Sequence, residues 1–283
     1  MSIWEAVLLG IIQGLTEFLP ISSTAHLLVA RQLLGHANPR DAFTTAIQLG
    51  TLVAVFVYFR TDLYRMCVAV LADMRSRRFA STPDSRLFWM MVLATFPVVI
   101  CGFAFKDFIK KSLYDTWVIA AAAIGFSFLL LAAELIARRK TGRDENQVTW
   151  RDALLVGLFQ TLALIPGASR SGVTITAGLF AGLSRPAAAR LSFLLSLPSI
   201  LGAGLYDGYK ERHELFQSGS DVVNLFVGAT VAGIVGYLSI AWLIGFLKRY
   251  STYGFIVYRI LLGLLIFGLL ARGWLVNELP PRS

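Results

Sequence analysis

Two apolar stretches of this chain are each broken in the middle, and the break constrains the fold more than any other feature. Residues 3–35 read as two apolar segments of about 12–16 residues interrupted at Pro20, and residues 153–184 as two more interrupted at Pro166-Gly167. One crossing of a bilayer needs ~20 consecutive apolar residues. Halves this short fit a helical hairpin that enters and leaves by one face, with its non-helical tip covered by protein or a water-filled cavity. The two breaks also resemble each other. The first runs Gln13-Gly-Leu-Thr-Glu17-Phe-Leu-Pro20-Ile-Ser22-Ser23-Thr24-Ala-His26, and the second Gln160-Thr-Leu-Ala-Leu-Ile-Pro166-Gly167-Ala-Ser169-Arg170-Ser171-Gly172-Val-Thr174. A repeat of broken helices in apolar surroundings marks a membrane protein whose site lies between its halves.

The bilayer setting follows from the rest of the chain. Only 15% of its 283 residues are charged, against about 25% in soluble domains. Six runs read as spanning helices: 42–59, 87–105, 116–136, 187–206, 222–246 and 255–275. The expectation is an all-α integral membrane protein with six transmembrane helices and two re-entrant helical hairpins, in one membrane domain. Residues 1–150 form the first repeat and 151–283 the second. Three crossings per half is an odd number, so the second repeat is inverted relative to the first. The first 20 residues carry Glu5 and Glu17 and no basic start, which argues against a cleavable signal peptide.

Loop charge gives an orientation. The segment 60–86 holds six basic residues and 137–151 holds five, while Lys248 and Arg249 sit in the short turn 247–254. The opposite loops, 106–115 and 207–221, hold three and two. The basic loops are expected in the cytoplasm and both termini outside. The net charge of +9 is explained by these loops, and with no basic–aromatic recognition pattern nucleic acid is discounted. Cys67 and Cys101 have neither the number nor the spacing of a metal site or disulfide framework and read as packing residues.

The chemistry concentrates at the two breaks. Gln13 and Glu17 are four apart and share a helix face. A carboxylate in an apolar run is expensive and is a functional candidate by default. A hard divalent ion wants oxygen ligands and bridges carboxylate to phosphate, so Glu17 is a metal candidate with the Gln13 carbonyl beside it. Ser22, Ser23 and Thr24 open the next helix; one is expected to be its N-cap, and three hydroxyls exceed what capping needs. His26, one turn on, is a candidate general acid/base or nucleophile. At the second break, Gly167 and Gly172 allow close backbone approach, Ser169, Ser171 and Thr174 offer hydrogen bonds, and Arg170 offers a planar fork suited to phosphate. The N–H groups of the following helix point to the same place. A carboxylate, a histidine, hydroxyls and an arginine make a kit for phosphoryl chemistry. Inside a bilayer the substrate would be a lipid-linked phosphate. The chain has no P-loop, no zinc-ligand cluster and no Gly-x-Ser-x-Gly elbow.

These motifs resemble the bacitracin-resistance type of undecaprenyl-pyrophosphate phosphatase. The (Glu/Gln)-x-x-x-Glu pattern falls on Gln13 and Glu17, Pro-x-Ser-Ser-Thr-x-His on Pro20 to His26, and Pro-Gly-x-Ser-Arg-Ser-x-x-Thr on Pro166 to Thr174; Ile47-Gln48-Leu49-Gly50 extends the likeness. The resemblance implies hydrolysis of undecaprenyl diphosphate to the monophosphate, recycling the carrier of cell-wall precursors. It implies a divalent cation, magnesium or calcium, and a multi-pass protein of the bacterial cytoplasmic membrane whose site opens to the outer side. On this basis His26, Ser23, Glu17 and Arg170 are the expected catalytic residues. Ser22, Thr24, Ser169, Arg170, Ser171 and Thr174 are the expected phosphate-binding residues, and Glu17 and Gln13 the expected metal ligands. Gln13 stands where many members have Glu, leaving one carboxylate in that motif. Either Ser23 or His26 is expected to attack the terminal phosphorus, or His26 to activate the attacker. The alternative is a flippase or transporter of polyprenyl phosphate, which would use the same broken helices to bind without cleaving. The small-residue run Gly228 to Gly236 permits close helix packing, within one subunit or across a homodimer.

Overall fold

The computed structural model describes residues 1–36, 42–138, 142–210 and 218–277. Arg139 and Lys140 of the basic loop 137–151, and Arg212 and His213 of the loop 207–221, lie outside the described residues. Among the described residues every regular element is helical. In chain order these are α1 (Ile3–Phe18), α2 (Ser23–Leu33), α3 (Ala42–Ala46), α4 (Gln48–Tyr58), α5 (Arg60–Arg75), α6 (Pro83–Ala104), α7 (Lys106–Ser112), α8 (Thr116–Ala137), α9 (Trp150–Gln160), α10 (Arg170–Phe180), α11 (Arg185–Lys210), α12 (Gly219–Leu247) and α13 (Tyr253–Ala271).

Helices α6, α8, α12 and α13 are long and apolar enough to cross a membrane, and a bent pair formed by Ala42–Tyr58 and Arg60–Arg75 adds a fifth candidate. Their outward faces carry large apolar residues such as Phe96, Ile100, Leu238, Trp242, Leu261 and Leu264, all exposed. Such a surface suits lipid rather than water. Helix α11 covers the expected span 187–206, but it has charged residues toward both ends, Arg185, Arg190 and Lys210, and is not among the candidates.

The basic segment 60–86 departs from its expectation as a loop. Its first 16 residues are the helix α5, turned 72° from the helix before it. Met66 and Val70 recur at helical spacing and are buried, while the arginines face outward together with Tyr64, Leu71 and Met74, so the segment is a helix with one packed face rather than irregular chain. Cys67 is exposed on α5 instead of packed, Cys101 is half-buried, and both thiols are free.

Local chemistry starts the helices that carry the site. Ser2 and Glu5 form a capping box at α1, and Thr149 and Asp152 form one at α9. Each broken pair then packs against a long helix of the other half. Helix α1 lies on α12 where a Cβ on Gly14 would come within 2.7 Å of Val235. Helix α9 lies on α6, where a Cβ on Gly157 would overlap the Ala94 carbonyl. Gly50, in the Ile47–Gly50 stretch, seats α4 against the backbone of Ala229. The small residues of 228–236 therefore serve packing within the chain: Gly228 meets Phe43 and Ile47, and Gly236 meets Phe18 and Thr51.

Candidate active site

The two breaks adopt the same backbone conformation. Ser22 caps α2 with φ 73° and ψ 95°, and Ser169 caps α10 with φ 66° and ψ 109°. Non-glycine residues seldom take positive φ, and doing so costs on the order of 1 kcal/mol. Both serines offset part of this by capping: Ser22 Oγ accepts from Ala25 N at 3.4 Å, and Ser169 Oγ accepts from Gly172 N at 3.2 Å. Before each cap the chain is turned out of helix, at Leu19 ahead of Pro20 and at Ile165 ahead of Pro166, both extended. Gly167 also has positive φ, 91°, while Gly172 is small for a different reason given below.

The caps bring the two motifs into contact. Arg170 Nη2 donates to Glu17 Oε1 at 2.8 Å. The other carboxylate oxygen, Oε2, accepts from Ser23 Oγ at 2.9 Å and from Gln13 Nε2 at 3.0 Å. Ser171 Oγ donates to the Leu19 carbonyl at 3.0 Å, stitching the second turn to the first, and lies 3.2 Å from Ser169 Oγ. Glu17 and Arg170 retain 10% and 14% side-chain exposure, so a nearly dry ion pair sits at the junction of the breaks. Among the described residues, Gln13 Oε1 and Arg170 Nη1 beside this pair are buried without a partner. A bare carbonyl oxygen beside a carboxylate, and the free tooth of a guanidinium fork, are what a cation and a phosphate oxygen would each use.

His26 is placed otherwise than a base for Ser23 would be. Its Nδ1 lies 2.7 Å from the Ser22 carbonyl, which can only accept, so Nδ1 carries the proton. In the neutral ring Nε2 then accepts from the Tyr258 hydroxyl, 2.6 Å away on α13. Thr24 is half-buried on the first turn of α2 beside Ser23. Thr174 is fully buried, and its hydroxyl is committed to the Arg170 carbonyl at 2.8 Å and Ser192 Oγ at 2.6 Å. It braces α10 against α11 instead of offering a free hydroxyl.

Sequence reasoning missed Tyr258 and Arg259. Arg259 is fully buried on α13 and donates from Nη2 to the carbonyls of Gly167 at 3.2 Å and Ala168 at 2.9 Å. A Cβ on Gly172 would stand 2.7 Å from Arg259 Nη1, which is why that position is a glycine. The signal was present: an arginine inside an apolar span is a functional candidate by default. The second break has no counterpart of Glu17. Gln160 matches Gln13 and is as deeply buried, but Leu164 stands four residues on. Among the described residues no three His, Cys, Asp or Glu side chains form a metal cluster.

Residues 6–265 match the family model of the Bacitracin resistance protein BacA. The chain is 50% identical over 280 residues to the undecaprenyl-diphosphatase of Chlorobium phaeobacteroides strain BS1, covering 97% of this chain and 99% of that one. It is 49% identical over 278 residues to that of Prosthecochloris aestuarii, with 96% and 99% covered. It is 44% identical over 281 residues to that of Chlorobaculum tepidum, with 98% and 100% covered.

Proposed function

We infer the chemistry of the site from one premise: the chain belongs to the bacitracin resistance protein BacA family. Its activity is the hydrolysis of undecaprenyl diphosphate to undecaprenyl phosphate and phosphate, which recycles the lipid carrier for cell-wall polymers and confers bacitracin resistance.

The observation that carries the mechanism is the shared carboxylate of Glu17, bonded at once to Ser23 Oγ and Arg170 Nη2. In our reading Ser23 is the nucleophile and Glu17 its base. His26 is less suited to attack, because both ring nitrogens are already engaged. The Ser23 proton passes to Glu17 Oε2 as Oγ bonds the terminal phosphorus. The bridging P–O bond breaks and undecaprenyl phosphate leaves. Glu17 gives the Ser23 proton to the departing lipid phosphate. Water then gives a proton to the freed carboxylate as its oxygen bonds the phosphorus. The Oγ–P bond breaks, phosphate departs, and Glu17 returns the proton to Ser23 Oγ. Arg170 is held by Glu17 until the diphosphate arrives. Its free Nη1 and the α10 N-terminus then neutralise the non-bridging oxygens, and Ser169 Oγ turns its hydrogen to them while Ser171 keeps its bond to the Leu19 carbonyl. Thr24 and the start of α2 complete the cradle.

The donor set fits a divalent cation, magnesium or calcium. Gln13 Oε1 is buried and unpartnered next to Glu17, and the diphosphate and water would supply the remaining oxygens. When bound, the ion adds positive charge at the phosphoryl group and lowers the barrier to attack.

We further propose two inverted repeats, each a re-entrant hairpin plus three crossings, in the bacterial cytoplasmic membrane with the site facing outward. One observation supports placing the basic segments together on the cytoplasmic side. Arg190 pairs with Asp62 at 2.7 Å and Glu145 at 2.6 Å, so segments 60–86 and 137–151 meet at one residue, and Thr252 Oγ1 donates to Glu134 at 2.7 Å, holding 247–254 to the last turns of α8 that lead into 137–151.

The test is conversion of undecaprenyl diphosphate by purified protein in detergent, with magnesium and with a chelator. Release that needs the metal supports the scheme. Lipid bound without cleavage would instead favour a carrier.

A further inference from the structure

The helix α13 touches both breaks with two consecutive residues. Arg259 holds the second turn by its Gly167 and Ala168 carbonyls. Tyr258 reaches the first turn, where its hydroxyl lies 2.6 Å from His26 Nε2 with the two rings parallel within 2°. His26 in turn holds the carbonyl of Ser22, the strained residue immediately before Ser23. A line of three groups joined by two hydrogen bonds therefore runs from α13 to the residue before the nucleophile: Tyr258 hydroxyl, His26 ring, Ser22 carbonyl.

We propose that Tyr258 is a positioning residue for the reaction, fixing the tautomer and orientation of His26 and through it the backbone that presents Ser23. Partners of this kind, one step removed from the reacting group, typically change rate rather than fold. Three features support the role. The carbonyl of Ser22 admits only the Nδ1–H form, so Nε2 needs a donor, and the tyrosine hydroxyl is the group within reach. Positive φ at Ser22 is a conformation that surroundings must hold in place. The anchor at Arg259 fixes the same turn of α13 against the second motif, so Tyr258 has a set position relative to both halves of the site. Tyr258 itself is 44% exposed, and losing its hydroxyl removes little packing.

The inference rests on the reading of the site as a phosphatase, and the experiment separates the two. Tyr258→Phe in the full chain, purified in detergent, is compared with wild type in two ways. Steady-state release from undecaprenyl diphosphate gives kcat and KM. Nitrogen NMR of ring-labelled histidine reports the protonation pattern of His26; the chain has three histidines, and a His26→Gln sample assigns the signal. We expect kcat to fall roughly tenfold with KM within about twofold, and the Nε2 resonance of His26 to move. Unchanged kcat overturns the proposal, whether or not the resonance moves. A lowered kcat with an unmoved resonance also overturns it, because the effect would not pass through His26. If wild type releases no phosphate, the phosphatase reading fails and the kinetic role falls with it, while the resonance still decides whether Tyr258 holds His26.

Discussion

Glu17 Oε1 and Arg170 Nη2, 153 residues apart in sequence, lie 2.8 Å from one another at the meeting point of two broken helices. A carboxylate and a guanidinium this dry are costly apart and neutral together. The pair therefore does two jobs. It holds the site together before substrate arrives, and in the proposed mechanism it hands Arg170 to the phosphate while leaving Glu17 to take the proton of Ser23. Glu17→Gln keeps the shape and removes both the charge and the proposed base. The expected result is a kcat at least a hundredfold lower, on the scale of general-base loss, with little response to added magnesium. Measured release within about threefold of wild type would contradict the assignment.

The two serines at matching places in the repeat should behave differently. Ser23→Ala removes the proposed nucleophile, and release should fall by about three orders of magnitude or more while the lipid still binds. Ser169→Ala removes a cap on Gly172 N, worth about 1 kcal/mol, and should cost no more than about tenfold. Equal losses in the two variants would argue against Ser23 as the attacking group.

Helix contact at Gly50 should be intolerant of a single methyl. A Cβ there would overlap the Ala229 carbonyl, so Gly50→Ala forces α4 from α12 and should cost about 1–3 kcal/mol or more. Gly125→Ala is the control: nothing lies within 4 Å of its Cβ, and alanine gains up to about 1 kcal/mol over glycine in a helix. Thermal unfolding in detergent should separate the two variants in opposite directions.

Asp152 ties the 142–149 segment to α9. Its oxygens accept from Arg143 at 2.9 and 2.8 Å and from Thr149 N and Oγ1, both at 2.8 Å. Burial pushes its carboxyl up, but these bonds outweigh burial and hold it below the ordinary carboxylate range. A carboxyl lowered on folding contributes stability that is complete above its unfolded value of about 3.9 and is lost as pH falls through the lower folded value. Asp152→Asn should lower stability by about 2 kcal/mol at pH 7, and the gap to wild type should close below about pH 4. A constant gap down to pH 2 would rule out this linkage.

The parts of the site that lie along the chain were legible from residue type and spacing. Pro20 and Pro166-Gly167 announce the breaks, and Glu17 and Arg170 stand out because charge in an apolar run needs a partner. What stayed hidden depends on direction in space. Thr174 belongs to the motif in sequence, yet helical rotation turns its hydroxyl to Ser192 on α11. His26 is three residues from Ser23, yet its ring turns to Tyr258, 232 residues away. The helix in the basic segment 60–75 was hidden by its charges, and of its many apolar residues only Met66 and Val70 are buried. Arg259 carried the same signal as Arg170 but lies in an otherwise unbroken span, where nothing marks a site.

Phosphate release from undecaprenyl diphosphate by purified Arg170→Ala, beside wild type and in magnesium, tests whether the two breaks act together. If the two breaks form one phosphoryl-transfer site, removing the arginine that joins them should lower kcat/KM by roughly a thousandfold. Release at a rate near that of wild type would mean that the chemistry happens elsewhere.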